Sequence, residues 1–502
     1  MNMKKFVNYM LAAAASIVVF AACDLNLVPN SAIAYEEGGQ LIQTASNLTS
    51  FENGILASYR SLQNGGYACV EEFELDCFNA VSDYGNNYGS IHRTDYTFTS
   101  TDYDTEALWA NSYGAIKNYN IIIATADNVP DNIKDAAQLV KGEAYFFRAA
   151  QYLQLARHFG KAYGSSSSSD LCVPLVLVYD QNEKPARATV AEVYDQIKAD
   201  LTQAADLLKG VEGKARAQKP TIDAVNALFA RYYLDVKDYA NAAAYAHKVI
   251  DTQKYKLATT VKDIDKVFVN DEGDEAIMQM FVSLTEWNAN SFSPYLNAAS
   301  DSKYTEIFRP YFIPTKKVID AYEPSDIRFQ TWFDDEYAVL VAGTYHVGEF
   351  YTLVKFHGNP TLTSSPIRNA RQAAKPFKIG EMYLIAAEAE LAAGNTAAAK
   401  ADLNALQTAR GASASDANSE TVEREWLRET IGEGFRLSNF KRWGSSFNGR
   451  EPQEGARLVI MTGDNYETKS LDASSPYLCW PVPSHELKVN KNLVQNPGYD
   501  VK

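Results

Sequence analysis

Two stretches far apart in the chain carry one pattern, and that pattern dictates much of the architecture. ALFARYYLDVKDYANAAAYAHKVI (227–250) and LIAAEAELAAGNTAAAKADLNALQ (384–407) superpose at an offset of 157, placing Ala230 on Ala387, Leu234 on Leu391, Asp238 on Asn395 and Ala242 on Ala399. Each reads as helix, tight turn, helix. Small residues stand where two antiparallel helices must approach closely, and a polar residue stands at the turn. A lone hairpin of this kind cannot cover its own apolar face, so several must stack.

Other helical patterns supply candidates for the rest of the stack. Within 104–128, Trp109, Tyr113, Ile116 and Ile123 fall on one stripe; within 136–158, Leu139, Gly142, Phe146, Ala149, Leu153 and Ala156 recur at spacings of three and four, and Gly160 provides a stop. A third helix covers 190–209, with Thr189 and Glu192 forming a capping box. The pair at offset 157 is built as tetratricopeptide units are, with coincidental Ala-rich helices as the alternative. Residues 261–375 have a different texture, in which Gly, Pro and aromatics mix with short alternating runs such as EAIMQM and AVLVAG, read as strands and long loops. The predicted fold class is therefore mainly α, a tetratricopeptide-like helical hairpin scaffold decorated with long loops and a few short strands. Residues 23–260 form an N-terminal part, with loops at 50–103 and hairpins at 104–250. Residues 261–502 form a C-terminal part, with an insertion at 261–375, a hairpin at 376–443 and an irregular tail at 444–502.

At the N-terminus, Lys4 and Lys5 precede an uncharged run from Met10 to Ala22 that is too short for the roughly 20 residues of a spanning helix. It reads as an export signal covering residues 1–22. The run ends Phe20-Ala21-Ala22-Cys23, which resembles a bacterial lipoprotein signal, with Phe20 where Leu is usual. That resemblance implies acylation of Cys23, and several acyl chains would hold the protein on a membrane without spanning it. An unmodified cysteine after an ordinary signal is the alternative.

Charge and motif content exclude several functions. Lys and Arg number 47 against 62 Asp and Glu, a formal net charge of −15, which makes nucleic acid a poor partner. The six histidines and the cysteines Cys69, Cys77, Cys172 and Cys479 show no CxxC, HExxH or paired-ligand spacing, so neither metal nor cofactor is expected. Cys69 and Cys77 read equally well as a short disulfide loop or as two buried thiols. A GxSxG elbow, a P-loop and a GxGxxG turn are all absent from the sequence. Acidic pairs such as Glu71 and Glu74 are expected by chance, and no catalytic residue is assigned.

Several stations along the chain together resemble the SusD/RagB family. They are CDLNLVP at Cys23, the Trp109, Tyr113, Ile116 and Asn120 pattern, and KGEAYFFRAAQYLQLARHFG with Glu143, Arg148 and Gly160. EMYLIAAEAELAAGN, EGFRLSNFKRWG with Glu433, Arg436, Arg442 and Trp443, and the closing QNPGY follow in the family's order. At LNALQTARG the family usually has an arginine soon after the asparagine; here Gln407 stands near that place and Arg410 follows. The resemblance implies a SusD-like fold and a lipid-anchored protein of the outer membrane and cell surface. It also implies a SusC-like TonB-dependent transporter as partner and an oligosaccharide or polysaccharide ligand, with no catalysis. From the residues themselves, Trp109 and Tyr113 read as core, and Glu433, Arg436 and Arg442 as a charge network pinning the last hairpin.

Sugars offer flat C–H faces edged by hydroxyls, so a surface that binds them combines aromatic planes with polar partners. Two loop stretches have that mixture. One supplies Asp83, Tyr84, Asn87, Tyr88, His92, Arg93 and Tyr96; the other supplies Trp287, Asn288, Asn290, Tyr295 and Tyr304. For each aromatic the alternative is packing beneath the loop. Peptide capture by the same loops, or an adaptor that binds proteins along its helical groove, are the competing functional readings.

Overall fold

The computed structural model describes residues 41–63, 65–93, 99–286 and 292–499. Cys23, the signal segment, Tyr96, Trp287, Asn288 and Asn290 lie outside the described residues.

The helical scaffold consists of α1 (Ala45–Leu62), α2 (Gly65–Glu74), α3 (Tyr103–Thr125), α4 (Lys134–Phe159), α5 (Val190–Leu208), α6 (Ile222–Asp235), α7 (Tyr239–Ile250), α8 (Ile379–Ala392), α9 (Thr396–Ala409), α10 (Ser419–Thr430) and α11 (Arg436–Trp443). The offset of 157 holds in three dimensions. It carries α6 onto α8 and the start of α7 onto that of α9, and the two hairpins pack on each other through α7 and α8. Ala230, Ala387, Ala242 and Ala399 are fully buried at the close approaches. Even the turns correspond. Lys237 and Gly394 occupy the same position with φ of 61° and 84°, a conformation that suits glycine and strains lysine.

Neighbouring hairpins obey the same logic. Thr189 and Glu192 close the capping box of α5, as their spacing predicts. Gly142 lets α4 lie against α5, since a Cβ there would stand 2.9 Å from side-chain carbons of Leu207 and Leu208. Six residues along, buried Arg148 grips Asp200 of α5 with two hydrogen bonds of 2.6 and 2.8 Å and reaches Asn120 of α3 at 2.8 Å. Trp109 is buried in the core, and Tyr113 donates from its partly buried edge to the Pro174 carbonyl at 2.8 Å.

The expectation of loops over residues 50–103 is corrected by the structure. Helices α1 and α2 cover most of 45–74, and irregular chain begins only after Glu74. Leu48, Ile55, Tyr59 and Leu62 bury one stripe of α1, but Gly54 and the polar run around it mask that periodicity in the sequence.

The insertion is built from two-stranded antiparallel pieces: β1 (Phe78–Ala80) with β3 (Phe312–Pro314), β2 (Ala276–Met278) with β8 (Phe377–Lys378), β4 (Phe333–Asp334) with β7 (Thr352–Leu353), and the hairpin of β5 (Val339–Val341) and β6 (Thr344–His346). EAIMQM and AVLVAG contain β2 and β5 as expected. Because β1 follows α2, its pairing with β3 ties the early chain to the insertion.

Buried ion pairs bolt these parts together. Arg410 is fully buried between Glu275, which directly precedes β2, and Glu429 of α10; Arg328 bonds Asp326, Glu425 and Glu429. Gln407, beside the departure from the family pattern, bonds Ser415 at 3.0 Å, while Arg410 makes the long-range contacts. Arg442 bonds Glu388 of α8 within the 376–443 stretch and Arg436 reaches outside it to Asp76, at 2.8 Å each, and Glu433 accepts from Lys355 at 2.6 Å. The QNPGY ending is fixed by Gln495, which exchanges hydrogen bonds with Val482, and by Asn496, which donates to the Phe159 and Trp480 carbonyls.

Candidate functional site

Three short segments meet to form the surface that carries the predicted binding residues: the turn after β1, residues 299–311, and the β5–β6 hairpin. Backbone pairing sets their positions. Val81 donates to Tyr311 at 2.9 Å, Ala299 and Ile307 exchange hydrogen bonds, and Phe308 and Leu340 link the second segment to the third. The tight turn at Ala342 and Gly343, both at positive φ, projects the hairpin tip toward Asp83, whose Oδ2 accepts from the Ala342 amide at 2.5 Å.

Aromatic rings line this surface in three groups. Tyr84 stacks on Tyr311 with ring centroids 5.5 Å apart and planes 27° apart, both rings half-buried. Tyr304 lies 5.0 Å from Tyr345, and the Lys303 ammonium sits over both rings. Tyr337 is exposed, with the Arg368 guanidinium 4.2 Å from its centroid and donating to its hydroxyl at 2.8 Å. Each ring is thus held by partners while keeping some surface in water.

Asp301 organises the middle group. It accepts from the Tyr345 hydroxyl at 2.5 Å and from the backbone amides of Lys303 and Tyr304 at 2.8 and 2.9 Å. Those donors, the Tyr345 hydroxyl foremost, lower the carboxyl's pKa, and the same bond raises that of the Tyr345 phenol. The carboxylate is therefore ionised at neutral pH and the tyrosine neutral.

Not every residue expected on this surface is there. His92 is a core residue: it is fully buried, its Nδ1 lies 2.7 Å from the Phe73 carbonyl, its Nε2 lies 3.0 Å from Arg450, and burial with that guanidinium pushes its pKa far down. Tyr295 is also fully buried, packed with Phe73, Phe78 and Phe356. It lies in the short helix Ser293–Leu296 between buried Pro294 and Leu296, with Phe78 of β1 against its ring. Tyr88 keeps a half-buried edge while packing on Phe73 and Tyr311, Arg93 donates to Tyr466 at 3.3 Å, and Asn87 is exposed. Asp83, Tyr84 and Tyr304 remain at the surface. Tyr311, Tyr337 and Tyr345 were missed; the signal for the last was its place two residues beyond Gly343 in a tight hairpin.

A cleft lies elsewhere, between α1, α2, α4 and residues 372–378, with a volume of about 150 Å3. A wider groove of about 1290 Å3 runs past α1, α4 and residues 211–221. In its wall Glu143 of α4 faces Glu52 of α1, and Lys219 bonds Glu52. Burial first, and then the neighbouring Glu52, push Glu143 up to about 8. No described helix is long and apolar enough to cross a membrane.

Stacked helical hairpins carrying a loop surface of half-exposed tyrosines define a helical-repeat scaffold of the SusD-like type. Residues 37–234 match the SusD-like family described as "Starch-binding associating with outer membrane". The starch-binding protein SusD of Bacteroides thetaiotaomicron is 24% identical over 480 residues, covering 82% of this chain and 79% of that one. A crystal structure of a SusD superfamily protein from the same species matches with a TM-score of 0.75 at 22% identity, over 90% of this chain and all of that one. A laminarin-binding SusD-like protein matches with a TM-score of 0.70 at 21% identity, over 91% of this chain and all of that one. The chain thus has the SusD-like fold, and its N-terminal part matches the SusD-like family model.

Proposed function

We propose that this protein is a cell-surface lipoprotein, anchored through Cys23, that captures an oligosaccharide or polysaccharide and passes it unbroken to a SusC-like TonB-dependent transporter. The observation that carries the reading is the cluster of tyrosine rings Tyr84, Tyr311, Tyr304, Tyr345 and Tyr337, held half-open beside Asp83, Asp301 and Lys303. Pyranose C–H faces would lie on the rings while ring hydroxyls donate to the carboxylates and accept from the ammonium. Tyr345, Tyr337, Asp301 and Asp83 are already tied by hydrogen bonds, so little ordering entropy is lost at these side chains on binding. An open surface buries limited area, which suits capture followed by release to a second protein. Tethering both partners to one membrane raises their effective concentration, so a weak contact suffices.

Calorimetry and affinity electrophoresis against a panel of plant, host and microbial polysaccharides test the proposal. Tyr84→Ala and Tyr304→Ala should each weaken binding about tenfold, equivalent to about 1.4 kcal/mol, with the thermal transition unchanged. Heat from mixed peptides and none from any glycan would replace the reading by peptide capture. Hydrolysis products after long incubation would overturn its non-catalytic part.

A further inference from the structure

We propose that the cleft between α1, α2, α4 and residues 372–378 is a second site, which takes a single neutral sugar ring, either free or as the end of a chain. The inference rests on the glycan-binding reading of the protein but concerns a different place in it, lined in part by the stacked rings of Phe292 and Phe356.

Size is the first argument. A volume of about 150 Å3 is that of an engineered protein cavity that takes one benzene ring, and so is of the order of one six-membered sugar ring. Wall chemistry is the second. Tyr67 and Phe435 provide ring surface, while Gln63 and Gln154 bring amide groups to the same space. Gln372 lines it too, and its Oε1 is buried without a hydrogen-bond partner, an acceptor left open for a hydroxyl.

Charge is the third argument, and it selects the ligand. The charged groups in the wall are already matched within the protein. Arg157 holds Asp235 at 2.8 and 2.9 Å, and Arg231 holds Glu381 at 2.7 and 2.6 Å. Lys375 bonds Asp271 at 2.6 Å, Lys378 bonds Glu433, and Glu71 lies 2.9 Å from His158 Nε2, an ion pair when that histidine is protonated. A carboxylate or ammonium entering this space would have to break one of these pairs, whereas a neutral polyol uses only the amides and rings. An apolar ligand would leave the Gln372 acceptor unsatisfied.

Saturation-transfer NMR and calorimetry on the full chain with glucose, galactose, mannose, xylose, glucuronate and glucosamine test the inference. At least one neutral sugar should bind, glucuronate and glucosamine should bind at least tenfold more weakly, and Gln372→Leu should weaken the neutral sugar tenfold or more. Ala68→Leu, which fills the cleft from α2, should do the same; a matching thermal transition shows that each variant is folded. Oligosaccharides should retain the Gln372 dependence only if a chain end enters, which separates the two sources of the ring. Absence of neutral sugar binding, tighter binding of a charged sugar, or binding sensitive to Tyr84 and indifferent to Gln372 would overturn the inference. Ring binding through Gln372 with no polysaccharide binding at all would instead sink the surface site and leave this one standing.

Discussion

Arg410 shows how much one residue can hold. Its guanidinium, fully buried, bonds Glu429 of α10, the Ala258 carbonyl at 2.9 Å, and Glu275 at the entry to β2. Arg410 and Arg328 hold the Glu429 carboxyl down at about 2 against its burial. A buried pair is a weak source of net stability, but removing one partner leaves charge stranded in a low dielectric. Arg410→Met should therefore cost roughly 3–5 kcal/mol in urea unfolding. Adding Glu429→Gln and Glu275→Gln should recover a large part of it, because neutral amides replace the stranded carboxylates. A loss below about 1 kcal/mol would mean that these bonds do not hold the helical hairpins to the insertion.

At the scale of elements, the repeated hairpin offers an internal control. Lys237 and Gly394 occupy the same turn position at positive φ, and both are exposed, so side-chain packing does not confound the comparison. A non-glycine residue pays about 1 kcal/mol there, offset in part by the greater unfolded-state freedom of glycine. Lys237→Gly should raise stability by about 0.5 kcal/mol and Gly394→Ala should lower it by about 1 kcal/mol, both read from denaturant midpoints at constant m-value. Equal signs for the two changes would show that the turns are not equivalent. The helical repeat was legible in the sequence because small residues at close approaches leave a periodic trace. Helix α1 was not, since Gly54 and the surrounding polar side chains hide a stripe only four residues strong. The aromatic surface was legible only in part. Composition finds loops rich in tyrosine, but which rings turn outward depends on non-local pairing of β1 with β3 and on the β5–β6 hairpin. That is why Tyr295 went inward while Tyr311, Tyr337 and Tyr345 were overlooked.

For the molecule as a whole, buried acids shape the dependence of stability on pH. Glu143, Glu72 and Glu74 are each pushed up to about 8, burial being the largest cause for all three. In the unfolded chain such groups titrate near 4.3. Between those values the folded state holds protons that the unfolded state has released, so stability falls as pH rises from about 4.3 to about 8. Below that window the contribution is fully present; above it the contribution is gone. Carboxylates held low by arginine act in the opposite sense. Glu429 contributes stability above about 4.3 and loses it as pH falls through about 2, so the profile should peak on the acid side of neutrality. Glu143→Gln isolates one of these terms, because the amide cannot ionise and still donates to Glu52 across the α1–α4 contact. Relative to the parent chain, the variant should be about even near pH 5 and gain roughly 1–3 kcal/mol by pH 8.5. Thermal unfolding followed at half-unit steps of pH checks it, and a difference that does not grow with pH would show that Glu52 and Glu143 share no proton in the folded protein.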